Sequence, residues 1–530
     1  MSDLFLGLDS STQSLSAVVV DLSTRQVVHE VSLNFDKTLP GYGTQNGVLR
    51  SQDPAVVHAP PLMWVEALDV LMAQLKAEGV ALGSVRAVAG SGQQHGSVYW
   101  NAALPGVLGN LDPRKSLKDQ LTSCFARATA PVWMDSSTSR ECAEIQAALG
   151  GGPAMAEATG SAAFERFTGP QIRKFFKTEP KAYNATAGIS LVSSFMASIV
   201  AGRVAPIDHG DGAGMNLMDI RTRQWHVKAR DATAPGLVKK LPPLAEPWSS
   251  MGKISPYFSQ KYGLNPDALA VVWSGDNPCS VIGTGLVEAG MVAISLGTSD
   301  TYFGTMAQCH TDPRGEGHVF VAPTGDYMTL ICFKNGSLAR EKVKDAYGLD
   351  WKGFAAALAS TSPGNGGGLM LPWFEPEIVP RVLTPGVHRL NLDAANAAAN
   401  CRAVVEAQMM SMKLHSQWMG IQPTSIRATG GGARDREILQ VMADVMGCPV
   451  HQFEVSKTAA LGAALRAAHA WQNASGKPVA WPQVVAGFTH TKPAGSVHPG
   501  PGTAALYAAL LPQYAEFESH YLPPFASFAT

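Results

Sequence analysis

The chain has 530 residues, 41 Lys and Arg against 42 Asp and Glu for a formal net charge of −1, and 46% hydrophobic residues. That length exceeds one ordinary hydrophobic core and calls for two or more domains, while the balanced charge and lack of a basic tract argue against a nucleic-acid partner. Seven scattered Cys without CxxC spacing read as reduced, buried thiols rather than a disulfide framework or zinc site.

In chain order, the first feature is GLDSSTQS at 7–14, a polar turn between two apolar strands. Small hydroxyl residues suit an ordinary hairpin turn, and they also leave backbone N–H groups free to wrap phosphate oxygens. Ser11 and Thr12 are therefore candidate phosphate contacts. Asp9, at the end of the first strand, could hold Mg²⁺ through water, since magnesium takes few carboxylates and keeps much of its hydration. In SGQQHGSVYW, Gln93, Gln94 and His95 follow another strand, where two amides and an imidazole offer donors and acceptors to a polyhydroxylated ligand. A structural His is the plainer alternative.

WMDSSTSRE places Thr138 and Glu141 at capping-box spacing, which predicts a helix start. Arg166 in FERFTG is a candidate for a ligand oxygen, although isolated Arg residues are mostly surface groups. The stretch ISLVSSFMASIVAG at 189–202 is too short and Ser-rich to span a bilayer. With no signal-peptide pattern at the start, a soluble, cytoplasmic protein without a membrane partner is expected. The Gly-rich turn IDHGDGAGMNL reads as a solvated loop, which ranks Asp208 and Asp211 below a later acid as candidate bases. That acid is Asp276 in VVWSGDNP. Structurally, Asp276 or Asn277 would be an N-cap with Pro at the first helical position. Functionally, Asp276 ends a buried strand where α/β proteins bind ligands and could take a proton from a sugar hydroxyl.

A domain boundary is expected near residue 270, between a polar, Pro-bearing segment and this new apolar strand. Beyond it, MVAISLGTSDTYFGTM at 291–306 repeats the opening pattern, with Leu296, Thr298 and Ser299 opposite Leu8, Ser10 and Ser11. Strands alternate with helix-period segments after both hairpins, so each half reads as α/β. VFVAPTG, YMTLICF, SIRATGGGA and PVHQFE are the later strands, a long amphipathic run covers about 394–419, and a second helix follows Asp435. Gly430, Gly431 and Gly432 permit close approach of a flat ligand or phosphate, or simply a tight strand-to-helix turn. Neither GxxxxGK[ST] nor a strand-following GxGxxG is present, which argues against a P-loop and a dinucleotide dehydrogenase. The segment after about 485 shows no clear periodicity.

Taken in order, GLDSSTQS, SGQQHGSVYW, WMDSST, RFTG, DHGDGAGMNL, SGDNP, SLGTSDT, CFKNGSLAREKV and ATGGGARDREILQVMADV resemble the FGGY carbohydrate kinases, over about residues 4–468. The resemblance implies an α/β fold of two actin-like (ribonuclease H-like) domains, as in the sugar kinase and heat-shock ATPase superfamily, with an interdomain cleft. Residues 1–269 would carry the sugar site and first phosphate loop, and 270–530 the catalytic acid and ATP site. By the same resemblance Asp276 is the general base and Asp9 lies near magnesium. Gln94, His95, Arg166, Asp276 and Asn277 contact sugar, while Ser11, Thr12, Gly297, Thr298, Ser299, Trp351, Gly430, Gly431 and Arg434 serve the nucleotide. The implied reaction is ATP-dependent phosphorylation of a ketose, D-xylulose, and a homodimer is compatible with it. Many bacterial members acting on that sugar carry Gly in place of Ser11, Met in place of Gln94 and Gly in place of Asp300, departures that agree with a eukaryotic-type branch. Two alternatives share the phosphate motifs: a sibling kinase for another ketose or polyol, and an actin-family ATPase without a sugar substrate.

Overall fold

The computed structural model describes residues 3–454, 457–491 and 495–522. The chain forms two compact units, one of Met1–Val287, Phe320–Tyr327 and Val455–Thr489, the other of Glu288–Val319, Met328–Glu454 and His490–Thr530.

In the first unit, Leu4–Ser10 and Ser14–Asp21 form an antiparallel hairpin, and Gln26–Asn34 extends it. On the other side Val85–Gly92 runs parallel to Leu4–Ser10, and Leu269–Val271 runs parallel to Val85–Gly92. The opening strand is buried almost throughout, as expected where both faces of a sheet are covered. Its alternate residues serve two cores. Leu4, Leu6 and Leu8 pack with Trp64 and Leu68 of the helix Pro61–Ala77, and Phe5 packs with Ala464 and Leu465 of the helix Thr458–Ala474. The latter helix lies so close that a Cβ at Gly7 would sit 2.0 Å from the carbonyl oxygen of Ala460.

The boundary expected near 270 is corrected to Val287–Glu288. Leu269–Val271 and Ser274–Gly275 both pair with Val85–Gly92, so these residues complete the first sheet rather than opening a second. The helix Asp276–Gly283 then crosses Thr458–Ala474 at two glycines: a Cβ at Gly283 would lie 1.9 Å from the Thr458 oxygen, and one at Gly462 1.8 Å from the Cys279 oxygen. Asp276 therefore belongs to the first unit. Residues 270–530 do not form one domain.

In the second unit the sheet order is Tyr327–Phe333, Asp300–Met306, Met291–Leu296, Ser425–Thr429, Val450–Gln452. This reproduces the first unit's third-second-first-fourth-fifth order, with an antiparallel hairpin and parallel fourth and fifth strands in both. The repeat seen in the two hairpin sequences thus extends to topology. Asp435 caps the helix Arg436–Met446, accepting from the amides of Glu437 and Ile438, and the amphipathic run forms Ala397–His415.

The aperiodic C-terminal stretch supplies a helix, Thr503–Ser519, tied to Ala397–His415 by Tyr507 Oη donating to Glu406 Oε1 at 2.7 Å. Residues 492–494 and 523–530 of that stretch lie outside the described residues. Segment 189–202 divides into the strand Gly188–Leu191 and the buried helix Val192–Ala201. No helix among the described residues is long and apolar enough to cross a membrane. All seven Cys are free.

Candidate active-site residues

The parallel register of the first sheet brings Ser10, Gly92 and Gly275 level, so three strands deliver their following residues to the same sheet end. Asp9 lies opposite Ser91, whose Oγ donates to Asp9 Oδ1 at 2.7 Å. Burial, reinforced by the charge of Asp276, pushes the Asp9 carboxyl up to about 7 against the Ser91 bond.

Burial likewise pushes Asp276 up to about 6, opposed by backbone hydrogen bonds from Asn277 and Gln94. Its Oδ1 accepts from Asn277 N at 2.8 Å, Asn277 Nδ2 at 3.2 Å and Gln94 N at 3.3 Å. Those three bonds all converge on one oxygen, and among the described residues no other residue donates to Oδ2. The expected cap is corrected: Gly275 is the N-cap and Asp276 the first helical residue, with Pro278 third. Gly275 is required here because a Cβ would lie 2.3 Å from Gln94 Cγ.

His95 adopts φ 71° and its Nδ1 lies 2.8 Å from the Gly214 carbonyl oxygen. A carbonyl can only accept, so Nδ1 carries the proton and Nε2 is an acceptor. Burial, then the charge of Arg166, lowers the imidazole to about 3, so His95 is neutral at physiological pH. The ring packs on Phe167 at 4.3 Å between centroids, and Thr168 Oγ1 donates to the His95 carbonyl at 3.0 Å. Arg166 is held over Phe164, its guanidinium carbon 5.4 Å from the ring centroid. Asn277 Nδ2 also donates to Gln94 Oε1 at 2.8 Å, which presents the Asn277 carbonyl oxygen outward from that pair. Gln94, His95, Arg166, Asp276 and Asn277 are thus assembled within one unit.

One expectation fails nearby and another holds only in part. Asp208 and Asp211, expected in a solvated loop, are each 1% exposed. They sit in the strand Ile207–Asp208 and helix His209–Ala213, Asp208 accepting from the Asp211 amide and Asp211 from Ser193 Oγ. Burial raises both acids. The helix predicted there does start, as Ser139–Leu149 with Thr138 at the N-cap, but Thr138 makes no capping bond; its hydroxyl donates to the Glu165 carbonyl at 2.6 Å, in the segment that leads to Arg166. In the first turn, Ser11 N bonds Ser14 O, and Thr12 Oγ1 accepts from Trp133 Nε1 at 2.8 Å. Sequence reading gave Trp133 no role, because its partner lies 121 residues away.

In the second unit, Gly297, Thr298 and Ser299 form the three-residue turn between Leu296 and Asp300. A cavity of about 820 Å³ is lined by Gly297, Thr298, Trp351, Gly431 and Arg434 among others, a size within the range for small-molecule sites. Ser299 and Gly430 are not among the lining residues. Gly430 is a backbone requirement instead: its φ is 84° and a Cβ would lie 2.5 Å from the Leu296 oxygen. Trp351 is 44% exposed and packs edge-on against Phe354. Arg434 is 79% exposed, 3.7 Å from Glu454. Arg340 also lines the cavity, and sequence reading gave it no role.

Known structures share this architecture. A xylulose kinase from Rhodospirillum rubrum superposes with TM-score 0.80 at 19% identity, covering 99% of this chain and 100% of that one. A gluconate kinase from Lactobacillus acidophilus gives TM-score 0.79 at 17% identity, covering 100% and 99%. The fold class is therefore a two-domain α/β architecture shared with those structures. Residues 119–283 match the N-terminal domain, and 292–471 the C-terminal domain, of the FGGY family of carbohydrate kinases. Xylulose kinase of Rattus norvegicus is 44% identical over 528 residues, 98% of this chain and 97% of that protein. Xylulose kinase 2 of Arabidopsis thaliana is 44% identical over 493 residues, 88% and 87% of the two chains. The chain belongs to the FGGY family of carbohydrate kinases, and ATP is the co-substrate that family membership implies.

Proposed function

We propose that this kinase transfers the γ-phosphoryl group of ATP to the terminal hydroxyl, O5, of D-xylulose. The observation that carries the reading is the Asp276 carboxylate, with one oxygen saturated by three N–H donors and the other uncommitted. In this reading Oδ2 orients the sugar O5–H and takes its proton as the oxygen attacks the γ-phosphorus in line. An acid raised to about 6 is ionised at neutral pH yet basic enough to accept that proton. His95 Nε2 and the Asn277 carbonyl oxygen accept from other sugar hydroxyls, and Arg166 donates. The buried Gln94 Nε2 makes no hydrogen bond among the described residues and suits a sugar oxygen. The likeness to xylulose kinases along nearly the whole chain supports the choice of sugar.

The second-unit cavity takes the nucleotide, with Trp351 beside the base, Gly431 and Arg434 along the adenosine, and Gly297 to Ser299 around the phosphates. In the first unit, Ser11 and Thr12 are the candidate phosphate contacts. Asp9 fits a magnesium ion held through water, because the charge of Asp276 raises its proton affinity and a cation would offset that repulsion. When bound, that ion neutralises charge on the phosphoryl oxygens.

The test is ADP release across ketoses, aldoses and polyols. D-Xylulose should exceed every other sugar in kcat/KM by at least about tenfold, or ~1.4 kcal/mol in differential transition-state binding. A stronger response to another ketose or polyol would replace the sugar while keeping the chemistry. ATPase activity indifferent to every sugar would overturn both.

A further inference from the structure

Asp300 is fully buried and forms a bidentate pair with buried Arg340. Arg340 Nη1 lies 2.8 Å from Asp300 Oδ2, and Nη2 3.1 Å from Oδ1. Nη1 also donates to Gln408 Oε1 at 2.7 Å. The Gln408 amide in turn donates to the carbonyls of Asn335 at 2.6 Å and Gly336 at 2.8 Å.

This chain of bonds has a destination. Asp300 immediately follows the Gly297–Ser299 turn, and the Gly297 amide hydrogen-bonds its carboxylate. Ser337 N donates to the Gly297 carbonyl at 2.8 Å, and a Cβ at Gly336 would lie 2.6 Å from Asp300 Oδ1 and 2.8 Å from the Thr298 oxygen. A Cβ on Gly432, which also lines this cavity, would lie 3.4 Å from Arg340 Nη2. The ion pair therefore bonds the first loop of the cavity through the Gly297 amide, lies against Gly336 at the start of the helix Ser337–Ala346, and sits close to Gly432.

Stability alone is a poor reason for such a pair. Desolvating two charges is costly, and an apolar pair of similar volume is often as stable or more so. What an apolar pair lacks is direction. Ion-pair hydrogen bonds fix where the turn points, and phosphate recognition by backbone N–H groups depends on that.

We propose that Asp300 and Arg340 are positioning residues for the phosphoryl donor, holding the Gly297–Ser299 turn in register with Gly431 and Gly432. The proposal rests on assigning this cavity to the nucleotide. The test compares wild type with Asp300→Gly, with Gln408→Leu, and with the double variant Asp300→Leu/Arg340→Met. ADP affinity is read by calorimetry, KM for ATP and ketose by ADP release, and folding by thermal unfolding.

Asp300→Gly should raise the ADP Kd and the ATP KM about tenfold, with the ketose KM within about twofold. Gln408→Leu, which keeps the ion pair, should raise the ADP Kd about threefold. The double variant should recover the wild-type Tm yet keep the weakened ADP binding, a separation that a purely structural role would not produce. A stable double variant that binds ADP like wild type overturns the proposal. So does an equal rise in both KM values. If the double variant fails to fold, a Gln408→Leu protein with unchanged ADP affinity overturns it instead. Wild-type protein that binds no ADP would sink the nucleotide assignment itself, which the calorimetry shows before any variant is compared.

Discussion

Replacing Asp276 with Asn separates proton abstraction from the carboxylate's other work. The donors from Asn277 N, Asn277 Nδ2 and Gln94 N all converge on Oδ1, and an amide oxygen can accept them in the same place. Only Oδ2 changes, from a proton acceptor to an NH₂ donor. General-base help is worth roughly 10²–10⁴ in rate, or about 2.7–5.5 kcal/mol of barrier, so kcat should fall by that factor. The ADP Kd should stay within about twofold. Folding stability should move the other way. Burial raises Asp276 from 3.8 to about 6, and the linked cost of the buried charge is about 3 kcal/mol at neutral pH. The contribution of a raised acid is present below its unfolded value and is lost as pH rises through the folded one. The Asn variant should therefore have the higher Tm at pH 7.5 and lose that advantage below about pH 4. Coupled ADP release with D-xylulose at saturating ATP gives the rate, and thermal unfolding at the two pH values gives the stability. Turnover within about threefold of wild type would refute the base assignment. A lower Tm with lost ADP binding would instead make the carboxylate structural.

The same acid predicts that kcat/KM for the sugar falls tenfold per pH unit below about pH 6, and a profile flat to pH 5 would contradict it. His95, held neutral down to about 3, should add no limb between pH 5 and 8, whereas His95→Leu should raise the ketose KM roughly 5–150-fold with the ATP KM unchanged. Gly283→Ala pushes a methyl to 1.9 Å from the Thr458 oxygen, backbone that cannot rotate away, and should destabilise by about 3 kcal/mol or more in chemical denaturation. Gly106→Ala, with nothing within 4 Å of its Cβ, should stay within about 1 kcal/mol of wild type.

Periodicity alone located the two hairpins, the strands that end at Gly92, Gly275 and Thr429, and the helix capped by Asp435. These are local properties: alternation and capping act over a few residues, so a reader of the chain meets them directly. The ordered motifs singled out Asp9, His95, Asp276, Asn277, Thr298 and Gly431 as candidates, and of these Thr298 and Gly431 line the second-unit cavity.

Other features need partners that lie far along the chain. Ser91 reaches Asp9 across 82 residues, and only the parallel register makes them neighbours. The first unit claims Leu269–Val271 and Val455–Thr489 because an unpaired edge of its sheet and an uncovered face need them, which no composition shift at residue 270 reveals. Asp208 and Asp211 read as polar turn residues, yet burial raises both, because desolvation is a property of the packed environment and not of neighbouring letters. The Asp300–Arg340 pair spans 40 residues and lies beneath a turn whose own sequence already suggested phosphate. The sequence by itself determined which groups end strands and could do chemistry. Tertiary structure decided which oxygen of Asp276 is left uncommitted and how basic it is, since both follow from long-range hydrogen bonds and from the water that packing excludes.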